Sequence, residues 1–333
     1  MTETNISGMD TSAAAAALPD LILLQVIGLL PAADVVSIGQ VCRHWRRVAL
    51  GEEVWRRREL DATCDEADGG RQLVRVLRFA PCLAGLSVAT TSWSSPRHAA
   101  RAAVKQALLQ ADCKVERITD VWCHVDGEWA SAMLAVHADH VREVGACHVD
   151  GALLQALHTM ALHRALRGLQ VWHGDVALRV QDDDLAFDEE DGEGRGQGGL
   201  QWVDIFDIPQ ATTLSLLRAH RRTLQEVTLH VGTPAPSAVG WGWRHQDDRW
   251  PDTCSRLHLQ LSACSLQALQ SLFLDRYGRS HPLPACAAQL ADLRGALPGV
   301  TVTCLQCEED AKSKKTSGAS SPSTPSFVQQ PGS

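Results

Sequence analysis

Residues 118–171 read ITDVWCHVDGEWASAMLAVHADHVREVGACHVDGALLQALHTMALHRALRGLQV. Within them the pattern apolar-x-x-apolar-x-apolar recurs at Ile118/Val121/Cys123, Val141/Val144/Ala146 and Leu166/Leu169/Val171, in steps of 23 and 25 residues. Alternation inside each match suits a short strand with one buried face. Between the second and third matches, Gly151–Arg164 carries Leu153, Leu154, Leu157, Met160 and Ala161 at helical period. Each strand–turn–helix–turn unit leaves apolar surface that only the next unit covers, which is the physics of a solenoid.

Working outward, the same pattern matches Leu83/Leu86/Val88, Leu224/Val227/Leu229, Cys254/Leu257/Leu259 and Leu297/Val300/Val302. Ser265–Tyr277, with Leu266, Leu269, Leu272 and Phe273, predicts a helix. A period of about 20–29 residues is similar to that of leucine-rich repeats. That resemblance implies an irregular leucine-rich-repeat-like solenoid over residues 70–307. Two steps, 166 to 224 and 254 to 297, exceed one repeat. The first holds an acidic, Gly-rich loop, 181–199. The second has room for a helix at Pro284–Leu297 but no clear extra strand. The alternative is an irregular α/β domain. By composition, residues 1–17 are a disordered lead-in and 308–333 a disordered tail.

Ahead of the repeats, residues 21–30 read LILLQVIGLL, in which only Gln25 and Gly28 are not strongly apolar. A surface helix needs one apolar stripe, so a helix apolar all round must be covered on several sides. A local unit of about 40 residues is too small to do so alone. Pro31 ends this helix, Asp34 is a good N-cap for a second carrying Val35, Ile38, Val41, Cys42 and Trp45, and Glu52–Leu60 predicts a third.

Leu18-Pro19-Asp20, then Leu23, Leu24, Val26 and Ile27, then Leu30-Pro31 with Asp34, Val41-Cys42 with Trp45, and Val54-Trp55 together closely resemble the F-box, over residues 18–60. Leu21 and Leu29 depart from it, standing where the family often has Glu and an aromatic. The overall fold class implied is α + α/β: a three-helix F-box followed by the solenoid. The resemblance implies a docking site for the Skp-family adaptor of cullin-based ubiquitin ligases. Leu18, Pro19, Leu23, Leu24, Ile27, Leu30 and Pro31 would lie at or near that interface, with Val41, Cys42 and Trp45 tying the helices together and partly contacting the adaptor. The chain would then be a non-catalytic substrate-recognition subunit, holding an unidentified target protein through its repeat domain. The alternative is a repeat-domain scaffold with a structural F-box-like cap.

Composition bounds the other classes. The chain has 333 residues, 45% hydrophobic and 21% charged, with formal net charge −8, so nucleic acid is not an expected partner. No run approaches the roughly 18 apolar residues of a membrane span, and Pro19-Asp20 with no basic lead-in argues against a signal peptide. Eleven scattered Cys read as reduced thiols, hence a cytoplasmic or nuclear protein. Cys304-x-x-Cys307 is a lone pair, and His137, His140, Cys147 and His148 read as repeat-linked positions, so no metal or other cofactor is expected. No nucleophile elbow, P-loop or metalloprotease motif occurs. Trp241, Trp243 and Trp250 sit between strand matches and are the candidate target-binding anchors, the alternative being that they fold back against the solenoid's end or flank.

Overall fold

The computed structural model describes residues 18–61, 69–88, 98–123, 126–172, 198–231, 256–276 and 283–317. Four short helices come first: α1 (Asp20–Gly28), α2 (Ala32–Ile38), α3 (Arg43–Ala49) and α4 (Glu52–Trp55). Strands and helices then mostly alternate: β1 (Glu59–Asp61), α5 (Gly69–Phe79), β2 (Cys82–Ser87), α6 (His98–Gln110), β3 (Lys114–Trp122), α7 (Gly127–His137), β4 (Glu143–Cys147), α8 (Gly151–His163) and β5 (Gly168–Trp172). They continue as β6 (Trp202–Phe206), α9 (Gln210–Ala219), β7 (Glu226–His230), α10 (Leu257–Ala263), β8 (Ser271–Asp275), α11 (Leu283–Ala296), β9 (Thr301–Cys304) and α12 (Leu305–Ser317).

The nine strands form one sheet in chain order, every neighbouring pair parallel. Successive helices touch in the same order: α5 on α6, α6 on α7, α7 on α8, and α10 on α11. His158 on α8 meets His220 at the end of α9, and Gln210 of α9 bonds Gln260 of α10. The helices therefore make a single layer along one face of the sheet.

Register explains the core. Leu60, Leu86, Ile118, Val144, Leu169, Val203, Val227, Leu272 and Val302 partner one another in one row across all nine strands. A second row runs Val121, Ala146, Val171, Ile205, Leu229, Leu274 and Cys304. Except for half-buried Leu60, both rows are buried. Each buried aliphatic side chain contributes about 1.5–3 kcal/mol, so these rows dominate the stability of the sheet. The opposite face carries Glu59, Gly85, Arg117, Glu143, Gly168, Trp202, Glu226, Ser271 and Thr301.

Turn chemistry repeats as well. The pentapeptide Cys-His-Val-Asp-Gly occurs at 123–127 and again at 147–151. In both copies the Asp caps the following helix: Asp126 accepts from the Trp129 backbone N–H at 3.0 Å, and Asp150 from that of Leu153 at 2.8 Å.

Several boundaries correct the sequence reading. Leu200/Val203/Ile205 has the strand pattern and supplies β6, so the long step after Leu166 contains an additional strand. Ser265–Tyr277, expected to be a helix, contains β8, where Leu272 and Leu274 point into the core. Its leucines fit period 3.6 and period 2 equally, and the neighbouring ladder decides for the strand. Leu257 and Leu259, expected in a strand, lie in α10; Leu257 and Leu261 are its buried residues, and Leu259 is exposed. β9 begins one residue after Val300, and its inward pair is Val302 and Cys304. The last residues of the N-terminal unit form β1, so that unit runs directly into the sheet. Residues 308–317, expected within a disordered tail, belong to α12. The loop 181–199 lies outside the described residues up to Gly198. Gly199, at φ +150°, sits against Thr223, where a Cβ would fall 2.2 Å from the hydroxyl.

Candidate docking surface

The helix α1 is fixed at both ends by charge. At its start Asp20 takes hydrogen bonds from His44 (2.6 Å) and from the Arg47 guanidinium (2.9 Å), both on α3. Those partners, His44 foremost, hold the Asp20 carboxyl below the usual carboxylate range. At its end Arg58 donates to Ile27 O at 2.7 Å, which also accepts from the Leu30 N–H, and to Leu30 O at 2.6 Å. Arg58 also donates to Val54 O and stands 5.6 Å from the Trp55 ring. Burial lowers its guanidinium pKa.

Beneath α1, Leu23 and Ile27 are fully buried one turn apart, and the helix packs on α3 and α4. Trp55 is also fully buried. Its indole N–H donates to Ala49 O at 2.6 Å, and its ring meets Phe79 edge-on at 6.1 Å. Phe79 lies against Gly39, where a Cβ would fall 2.5 Å from its ring, so α2 and α5 approach closely. Cys42 caps α3 through its sulfur, which accepts from the Trp45 N–H.

The other side of α1 is bare. Leu21 is 66% exposed, Ile22 42%, Val26 43% and Leu29 88%. Ile22, Val26 and Leu29 fall at i, i+4 and i+7, one stripe of the helix. Val41, after α2, adds a further exposed apolar side chain at 62%. Such a group of uncovered aliphatic residues on one short helix marks an interaction surface.

Residues 15–61 match the F-box-like family. This segment is similar to F-box-like domains. No curated protein matches the chain.

Within the F-box-like domain, Pro19, Pro31 and Val41 are exposed, and Leu18, Leu24, Leu30, Cys42 and Trp45 are half-buried. Leu23 and Ile27 have no exposed surface; they position the helix and are not themselves on the bare face. The sequence reading named Val26 only as part of the motif and Leu21 and Leu29 only as departures from it, and assigned neither these nor Ile22 to the interface. A helical projection anchored on Leu23 and Ile27 separates the two sides.

The sheet's open face is the second surface. Trp122, Cys147, Trp172 and Phe206 are successive partners in one row. His230 lies edge-on to Phe206 at 4.8 Å. Its Nε2 is 2.9 Å from Asp204 and its Nδ1 3.2 Å from Asp275, and Gln170 donates to Asp204 at 2.8 Å. In the adjoining rows Trp202 lies across Gly168, where a Cβ would meet the indole at 2.2 Å. Trp241, Trp243 and Trp250 lie outside the described residues.

His137 is turned into the core, 3.2 Å from Leu108 O, and burial lowers its pKa. Among the described residues, three potential metal ligands converge only at Cys286, Cys304 and Cys307. Burial pushes the Cys113 and Cys123 thiols up to about 12. No described helix is long and apolar enough to cross a membrane.

Proposed function

We propose that the chain is a substrate-recognition subunit of a cullin-type ubiquitin ligase, in which the F-box-like domain binds a Skp-family adaptor that links it to the cullin. The observation that carries this reading is the bare aliphatic stripe of α1 inside the F-box-like segment. Exposed Leu21, Ile22, Val26 and Leu29, flanked by Pro19, Pro31 and Val41, form the contact, while Leu23, Ile27 and Trp55 hold it in place. The sheet is read as a leucine-rich-repeat-like solenoid whose open face, with Trp122, Trp172, Trp202 and Phe206, holds a target protein. Trp241, Trp243 and Trp250 are further candidates for that contact. The contribution to ubiquitin transfer is proximity: tethering raises the effective concentration of target at the charged enzyme. No catalytic step is assigned to this chain.

The test is co-purification of the adaptor and cullin with the full chain, wild type against Val26→Asp/Leu29→Asp. Charges placed in a buried apolar interface cost at least about 2 kcal/mol, roughly thirtyfold in affinity. Undiminished adaptor capture by the folded variant excludes this interface. A second reading, a scaffold whose F-box-like unit is only an end cap, draws on the burial of Trp55 and the pairing of β1 with β2. It requires that wild-type protein capture no adaptor.

A further inference from the structure

We propose that Cys286, Cys304 and Cys307 form a zinc site that ties α11, β9 and α12 together at the C-terminal edge of the sheet. The three residues come from three elements: Cys286 from the first turn of α11, Cys304 from the end of β9, and Cys307 from the first turn of α12. Their sulfurs all lie within 4.8 Å of one another, and those of Cys286 and Cys307 are 3.8 Å apart. A tetrahedral zinc with bonds of about 2.3 Å places its sulfurs about 3.8 Å apart, so this edge of the polyhedron is already formed. A disulfide would need two sulfurs at about 2.05 Å and would leave the third thiol unused.

The donor set selects the metal. Three thiolates with no hard oxygen among them favour a soft or borderline cation, and zinc is the common structural occupant of such sites. Binding is a proton exchange without redox: Zn²⁺ and three Cys–SH give a zinc tris-thiolate of charge −1 and release three H⁺. That charge falls beside a buried cation. Arg276 is 2% exposed, its positive charge acts on Cys286, and its guanidinium bonds Gln289, one turn along α11 from Cys286. A buried anion beside a buried guanidinium is compensated, where either alone is costly. The fourth zinc position is left for water.

The site also has a structural use. In the first eight residues of α12, Leu305, Gln306 and Cys307 are half-buried and residues 308–312 exposed. A helix with so little apolar surface gains little from packing, and a metal bond through Cys307 supplies an anchor that hydrophobic contact does not.

The experiment is elemental analysis of the full chain, purified without chelator and also reconstituted with zinc, alongside Cys286→Ser, Cys307→Ser and the control Cys264→Ser. About one zinc per chain is expected for wild type and Cys264→Ser, with loss of most of it in the other two. Cobalt(II) substitution should give a thiolate-to-metal charge-transfer band that Cys307→Ser lacks. Cys307 is half-buried, so its variant keeps the test valid even if Cys286→Ser fails to fold. The proposal is overturned if reconstituted wild type holds no zinc or if both variants hold as much as wild type. It is equally overturned if peptide mapping of the native chain finds a disulfide joining two of Cys286, Cys304 and Cys307.

Discussion

At the β1 end, the sheet runs into four helices that meet it through Trp55, Phe79 and a close α2–α5 approach, with Arg58 holding the last carbonyls of α1. At the β9 end, one polar helix follows the last strand and turns Cys307 toward two more thiols. A stack of strand–helix units must be closed at both ends, because a terminal unit has no neighbour to cover it. The two closures fail in opposite directions. The first has more apolar surface than it can bury, and the excess lies on α1 facing outward. The second has too little, and its inward groups are sulfur. Excess marks a place for a partner protein; deficit marks a place for a covalent or metal staple.

The sharpest way to break this contrast is Trp55→Ala. It removes a fully buried aromatic at the join of helices and sheet, and truncation of a buried Trp costs about 3–5 kcal/mol. Chemical denaturation should show a loss of that size, and a loss below about 1 kcal/mol would mean the N-terminal unit is not closed through this residue. Arg58→Met comes next. It deletes hydrogen bonds from a cation to three backbone carbonyls, offset in part by removing a half-buried charge, for a net loss of about 2 kcal/mol. Adaptor capture should weaken with it, since α1 loses its C-terminal anchor.

The middle of the sheet supplies a pH test. His220 is buried, its Nδ1 accepts from the Leu200 N–H, and its Nε2 faces His158 Nδ1 at 3.1 Å. Burial first, and His158 second, lower its pKa to about 3. An unfolded His takes its proton near pH 6.5, so from about 6.5 down to about 3 the unfolded state binds a proton that the folded state refuses. Stability therefore falls as pH falls through that window, by about 1.4 kcal/mol per unit from this group, and has no slope from it above pH 7. Melting curves at stepped pH should be steeper in wild type than in His220→Asn.

Much of this was legible in residues 118–171, where the strand spacing and the helical stripe of α8 both hold. The first helix was legible because α1 is apolar all round and Pro31 ends it. The second was misread, since Pro31 and not Asp34 is its N-cap and it stops at Ile38, leaving Cys42 to cap a separate helix, α3, that carries Trp45. What failed did so for a physical reason. Leu269, Leu272 and Leu274 suit either period, and only pairing with β7 and β9 fixes the strand. Which side of α1 faces out depends on Trp55, Arg58 and Phe79, which pack from later in the chain. Cys286 joins Cys304 and Cys307 from 18 residues upstream through the α11–β9 turn, a convergence that spacing alone does not reveal. The duplicated Cys-His-Val-Asp-Gly was readable and would have identified two helix starts directly.

The smallest expected effect on stability sharpens the comparison between the two sides of α1. Leu29→Asp changes a side chain that is 88% exposed, two residues past the Ile27 carbonyl that Arg58 holds. Nothing is desolvated and no cavity opens, so the change in stability should stay within about 0.5 kcal/mol. Leu23→Ala, six residues earlier on the same helix but fully buried, should cost about 2–5 kcal/mol. Measured together by denaturation, the pair gives a ratio that depends on orientation alone. If Leu29→Asp proves as damaging as Leu23→Ala, the bare stripe is covered in the folded chain, and no free face is left there for an adaptor. If it is neutral while adaptor capture is lost, the same substitution separates folding from docking in one residue.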